Sequence, residues 1–400
     1  MKRAKPEFQN NFSYLLKLLS CVLNDTATPE PNDDTDWASV FSMAEYHDVT
    51  GMVYCAVNRL AKNLRPHEEI LLNPREQYRI GMVRDINIDI ETEKLLLSLG
   101  KEGIKVLPLK GYVLKKDYPE PSLRTMTDVD ILFDSSQKAK VKEILSACGY
   151  RILSDTEKEL DVFKEPFHHY EFHSVLDTTG RFTCDFFENA MEHGNFDENN
   201  RGTLSADDFY IYMIEHFAKH MEAGGAGIRM VMDIYVFLKN HKSELSEEYL
   251  EKIFSNLKLQ DFRKVSEALA YNWFSPQSEP ETDSLIADYI ICSCTFGKTS
   301  DAIIIKNIRD DKRSNKKSSA VKNIFRRIIP GFNFIANQYP VIRKCKVLYP
   351  FMIPMYWIRR IFKFRNVTTV NFKHYLKTSD SEEAVRLMEI MGELGLESRL

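Results

Sequence analysis

The stretch that most constrains this chain is Leu107–Phe133, LPLKGYVLKKDYPEPSLRTMTDVDILF. It ends in an apolar run that carries two aspartates, Asp128 and Asp130, two positions apart. Alternate side chains of a strand share a face, so the two carboxylates stand together while Val129, Ile131 and Phe133 turn the other way into a core. Paired carboxylates repel unless something positive sits between them. A hard dication, Mg2+ (or Mn2+), is the usual solution, held by one or two carboxylates plus substrate phosphates. Upstream, Lys110-Gly111 separates a short apolar run, Ile104–Leu109, from a helix beginning near Tyr112. Glycine lets an anion approach the backbone, and the N–H groups of the next helix point toward it. Lys110 and Arg124 are cations suited to phosphate oxygens, the arginine in a bidentate manner. An Asp-x-Asp can also be a solubilising strand edge. The metal-and-phosphate reading rests on the combination of the pair, the Lys-Gly turn, the arginine and their place between strand and helix.

The flanks organise around this stretch. Residues 8–24 repeat apolar side chains at helical spacing (Phe12, Leu15, Leu16, Leu19, Val22), and Pro29–Asp36 is a polar linker. Helices are expected at 37–47 and 51–60, then along 74–100, a pattern apolar at Ile80, Met82, Val83, Ile86, Ile90 and Leu95–Leu97. After the strand at 128–133 come a helix at 137–148 and strands at 150–153, 168–176 and 181–187, the last two forming a hairpin about a turn at 177–180. Ser205, followed by two acids, reads as an N-cap. Further helices are expected at 227–241, 246–256, 260–273 and 282–294, with a charged connection at 309–319 and a last helix at 381–394. The expected fold is α+β: a small mixed sheet flanked by helical N- and C-terminal regions. The division is a helical 1–100, a central 101–195, a helical 196–300 and a basic 301–400.

At 400 residues the chain can hold two or three domains of about 150 residues. Its net charge of −4 names no partner, but residues 302–376 hold 17 Lys or Arg against two acids. Within them, 324–364 interleaves cations with aromatics. That pattern fits a solvated basic face, an anionic membrane surface or RNA. Seven scattered cysteines, an odd number, point to free thiols in a reducing cytoplasm. Cys292-x-Cys294 has no further ligands at zinc spacing. The N-terminus lacks the marks of a signal peptide, and no run approaches the roughly 18 apolar residues of a spanning helix. The expected location is cytoplasmic, with peripheral membrane contact as one reading of the basic region.

The string LPLKGYVL…YPEPSLRTMTDVDILF resembles the signature of the uncharacterised nucleotidyltransferase family of bacteria, itself similar to polymerase-β-type nucleotidyltransferases. The residues that carry the resemblance are Lys110, Gly111, Tyr118, Arg124, Asp128 and Asp130. It implies a polymerase-β-like core at 101–195. It continues through a His-rich strand containing His169 to a third acidic residue, for which Asp185 in RFTCDFFENA is the favoured match. Phe187 stands where the family often has His, and Glu171 in HHYEFHS competes for the role. Downstream, LSADDFYIYMIEHFAKHMEAGGAGIRMVMDIYVFL resembles a family segment with two histidines four apart, then an Arg and an Asp. Here they are His216, His220, Arg229 and Asp233. Phe217 after the first histidine excludes the His-Glu-x-x-His metalloprotease pattern. These four residues either lock two helices together or take part in nucleotide or acceptor binding. The segment around His47 is similar to a structural entry helix, and the resemblance spans roughly 37–240.

What the resemblance implies is a three-carboxylate, two-Mg2+ scheme with Asp128, Asp130 and Asp185 as metal ligands. A nucleoside monophosphate would pass from an NTP to a hydroxyl by in-line displacement at the α-phosphate. Lys110 and Arg124 would neutralise the departing pyrophosphate. The acceptor is open: a small molecule, a sugar, a tRNA end or a protein side chain. Two competing readings are a non-catalytic nucleotide-binding or antitoxin-like module, and a helical RNA- or membrane-associated adaptor.

Overall fold

The structure is a computed structural model that describes residues 6–176, 182–276, 278–295, 297–314, 329, 331–339, 341–359 and 381–400. The expected turn at 177–180, residues 315–319, and 324–328, 330, 340 and 360–364 of the basic segment lie outside the described residues.

Helices α1 (Pro6–Leu23), α2 (Trp37–Tyr46) and α3 (Thr50–Arg59) follow the apolar spacing, with Phe12, Leu15, Leu16 and Leu19 fully buried. Asp36 caps α2 by accepting the backbone N–H groups of Ala38 and Ser39. The long α4 (Glu68–Lys101) buries only part of its apolar pattern. Ile88, Leu95, Leu96 and Leu99 are buried, whereas Ile80, Val83, Ile86, Ile90 and Leu97 are exposed. The cause is the acids on the inward side. Asp85 and Asp89 hold the buried ammonium of Lys115 at 2.6 and 2.5 Å, and Glu91 accepts from Lys164 and Tyr150.

The central sheet contains β1 (Val106–Pro108), β2 (Val129–Phe133), β3 (Arg151–Asp155), β4 (Glu159–Lys164) and β5 (His168–His173), in spatial order β1-β2-β5-β4-β3. It is mixed: β2 runs parallel to β5, and every other neighbouring pair is antiparallel. The hairpin partner of β5 is β4, not residues 181–187 as the sequence suggested. Alternating burial of Leu160 and Val162 makes Glu159–Lys164 the strand. One sheet face, with Val129, Ile131, Phe133, Tyr170 and Phe172, packs on α4 and on α6 (Lys138–Ala147).

The other face looks toward the helical part of the chain. Here α8 (Ala206–Glu222) and α9 (Ile228–His241) follow α5 (Lys110–Leu114) and the one-turn α7 (Asp185–Glu188). Ser205 caps α8 through the Asp208 N–H at 3.1 Å, as its sequence context indicates. One apolar core runs from Phe12 through Leu107, Leu132, Phe209 and Trp273 to Leu400, so the N-terminal helices and the region after 205 share their interior. Arg399 is fully buried against Glu215 and Glu222 of α8, at 2.8 and 2.7 Å. All seven cysteines are free. Among the described residues no helix is long and apolar enough to cross a membrane.

Candidate active site

The parallel β2–β5 ladder pairs Asp130 directly with Glu171. Side chains in register on neighbouring strands share a face, so the two carboxylates meet on the side away from α4. The side chain of Asp130 is only 6% exposed. Its Oδ1 accepts from two donors, Lys110 Nζ at 2.5 Å and His173 Nε2 at 2.7 Å. That same His173 nitrogen lies 3.6 Å from Glu171 Oε2. Asp128, one residue before β2, is half-buried and accepts from the Thr127 hydroxyl at 3.1 Å. Lys110 reaches Asp130 from the turn after β1, where its backbone adopts φ +48°, the left-handed region. For a residue with a Cβ this costs roughly 1–2 kcal/mol. Backbone strain of this kind clusters at sites that need a side chain aimed.

Burial works against the charge on Asp130, but Lys110 and His173 outweigh it and hold the carboxyl well below the usual range. Burial likewise opposes the charge on Lys110, and Tyr212 and Asp130 overcome it, raising its pKa. Glu171 goes the other way. Burial, then the charges of Asp130 and Asp128, push its carboxyl up. The sheet face thus carries more negative charge than its own cations compensate.

Opposite stands a wall of helices, enclosing a cavity of about 270 Å³ with Lys110, Gly111, Asp128, Asp130 and Glu171 on its sheet side. From α8 come Tyr212, His216 and His220, the two imidazoles packed edge to face at 4.5 Å between centroids. Burial first, and then Lys110, depress both, His220 to about 4. They are neutral at neutral pH. From α9 come Arg229 and Asp233. Asp233 takes a two-pronged contact from Arg124, Nε at 2.8 and Nη2 at 2.7 Å, and accepts the Tyr118 hydroxyl at 2.6 Å. Arg229 Nη1 donates to Asp48 at 2.7 Å and to Thr125.

These positions revise several expectations. Asp185 does not join the Asp128–Asp130 pair. It opens α7, its carboxylate accepting from Asn189 at 2.9 Å and contacting His193 at 3.0 Å, with a side chain 76% exposed. Phe186 and Phe187 are both buried. The backbone turns here, with the Phe187 N–H donating to Cys184 O at 3.0 Å and the Asn189 N–H to Asp185 O at 2.9 Å. The acid that the fold brings to the pair is Glu171. Arg124 was expected at phosphate oxygens, but Nε and Nη2 of its guanidinium are committed to Asp233. Gly111 was expected to admit phosphate to the backbone. Instead a Cβ there would lie 3.2 Å from Arg124 Nη1, so the glycine makes room for that guanidinium. Asp233 pairs with Arg124 and Arg229 with Asp48, not with each other. His169 shares the Glu171 face of β5 but is held at 2.6 Å by Asp161. Sequence reasoning passed over His173 and Tyr212. Both had a signal: His173 lies two residues after Glu171 on the same strand face, and Tyr212 one helical turn before His216.

The donor set suits a divalent cation. Asp130, Glu171 and His173 place one potential ligand atom each within 4.8 Å of one another, with Asp128 alongside. The carboxylates supply hard oxygens, and burial together with the charges of Asp130 and Asp128 pushes the Glu171 carboxyl up.

A small mixed sheet presenting carboxylates to a cavity, with a Lys-Gly turn at its rim, is the arrangement the nucleotidyltransferase resemblance implies. The chain belongs to the uncharacterised nucleotidyltransferase family, whose model matches residues 33–275, more than half of its length. No curated protein and no solved structure matches it.

Proposed function

We propose that this protein is a metal-dependent nucleotidyltransferase, moving a nucleoside monophosphate from an NTP to a hydroxyl with release of pyrophosphate. The observation that carries the reading is the direct pairing of Asp130 with Glu171 across parallel strands, beside Asp128 and Lys110. Asp128, Asp130 and Glu171 would hold Mg2+ or Mn2+. Such an ion, when bound, supplies charge neutralisation at the transferring phosphate and lowers the pKa of a bound hydroxyl. Lys110 acts on phosphate oxygens as a point charge. In the displacement an acceptor oxygen bonds to the α-phosphorus as the bond to the pyrophosphate bridging oxygen breaks. Pyrophosphate leaves with the electron pair, and the hydroxyl proton passes to a carboxylate oxygen of Glu171. Arg124 positions by clamping the β2 approach to α9. Neutral His216 and His220 offer hydrogen bonds to nucleotide or acceptor without adding charge.

Incubation with each α-labelled NTP, Mg2+ or Mn2+ and a cell extract tests the reading. Label transfer that Asp130→Asn abolishes supports it. Nucleotide binding without transfer points to the non-catalytic or antitoxin-like module, and no binding to the adaptor. The acceptor, whether small molecule, tRNA or protein, is identified by where the label goes.

A separate observation bears on location. Val347, Phe351, Met355 and Ile358 are exposed apolar residues at helical spacing, among the exposed Arg343, Lys346 and Arg359. An apolar stripe rimmed by cations fits an anionic membrane surface better than RNA. Sedimentation with anionic against neutral vesicles, with RNA as competitor, measures this. Binding to RNA alone would contradict it.

A further inference from the structure

We infer that His173 is itself a ligand of the cation held at Asp130 and Glu171, and that the site therefore favours a first-row transition dication of the Mn2+ class over Mg2+. The inference rests on the metal-site reading above and adds the identity of the ion. Three observations carry it. His173 Nε2 lies 2.7 Å from Asp130 Oδ1 and 3.6 Å from Glu171 Oε2, so one nitrogen already faces both carboxylates. Asp130, Glu171 and His173 are the potential ligands that converge within 4.8 Å among the described residues. The strand register produces this convergence: Glu171 and His173 are alternate residues of β5, and Asp130 is paired with the first of them.

In the cation-free protein, Lys110 and His173 both serve Asp130 Oδ1. A cation entering between the carboxylates takes over the neutralising role. A neutral imidazole with its proton on Nδ1 then presents the Nε2 lone pair to the ion. Mg2+ demands oxygen ligands and dehydrates reluctantly. First-row dications accept imidazole nitrogen as well as carboxylate oxygen. A mixed set of oxygens and one nitrogen therefore discriminates between the two kinds of ion, which a three-carboxylate site does not.

The test uses the full-length protein with Mn2+ alone as probe. Electron spin-echo modulation of bound Mn2+ should show nitrogen-14 coupling in the wild type and lose it in His173→Gln. In competition titrations, the Mn2+-over-Mg2+ preference should fall at least about tenfold in that variant. The wild-type spectrum needs no variant to fold, and circular dichroism checks the variant. Bound Mn2+ without nitrogen coupling, coupling that persists in His173→Gln, or an unchanged Mn2+:Mg2+ ratio would overturn the inference and leave the carboxylate site standing. Failure of both ions to bind wild-type protein would overturn the metal reading itself.

Discussion

Two clusters in this molecule contain the same three side-chain types, two carboxylates and one histidine, and they behave differently. In the first, His193 spans Asp185 and Asp208 with a separate nitrogen for each, both at 3.0 Å. Burial opposes the imidazolium, but the two hydrogen-bonded aspartates raise its pKa. The charges close on themselves and tie α7 to the first turn of α8. In the second, Asp130 and Glu171 line the cavity, one nitrogen of His173 faces both acids, and burial with the neighbouring aspartates pushes the Glu171 carboxyl up. A satisfied cluster needs no ligand, whereas one with surplus negative charge is poised for a cation. The opposite wall of the cavity teaches the same lesson, since Arg124–Asp233 and Arg229–Asp48 are closed pairs that hold α9 in place.

The largest effect that would break this comparison is loss of chemistry. Asp128→Ala and Asp130→Asn should each lower nucleotide transfer by roughly 10²–10³-fold or more while leaving the circular dichroism spectrum unchanged. Retained activity in either would end the assignment. Next comes stability on the closed side. Arg124→Leu removes the two-pronged cation and leaves buried Asp233 without it, at a cost of roughly 3 kcal/mol or more. Denaturant unfolding measures this, and a change below about 0.5 kcal/mol would mean that the pair is not structural. A smaller effect is expected in pH dependence. In the cation-free protein the Glu171 pKa is raised, so stability should fall as pH rises through that raised value, and denaturant unfolding across pH measures it. The same raised pKa penalises its charged form in the cation-free fold. Glu171→Gln should therefore raise cation-free stability near neutral pH, by less than about 1 kcal/mol. A stability loss of that size would show that Glu171 is paired and not poised.

The sequence carried the first half of the site because alternation along a strand is local. Asp128 and Asp130 beside Val129, Ile131 and Phe133 have one reading once a strand is assumed. The Ser205 cap was legible for the same reason. What was not legible depended on partners distant in sequence. Glu171 becomes the neighbour of Asp130 only through a parallel register between strands some 40 residues apart, and Arg124 meets Asp233 only when α9 folds back over α5. The pairing of Asp85 and Asp89 with Lys115, and of Glu91 with Lys164, was not legible along α4 for the same reason. Asp185 misled because Asp-Phe-Phe-Glu suits a strand by composition, whereas the backbone bond from Asn189 N–H to Asp185 O closes a helical turn.

The most direct test of the account is a side-by-side transfer assay of Glu171→Gln and Asp185→Asn under identical metal and NTP conditions. The account predicts a loss of roughly 10²-fold or more for Glu171→Gln. It predicts activity within about twofold of wild type for Asp185→Asn, whose carboxylate faces solvent and His193. The reverse result, an inactive Asp185→Asn beside a fully active Glu171→Gln, would contradict it.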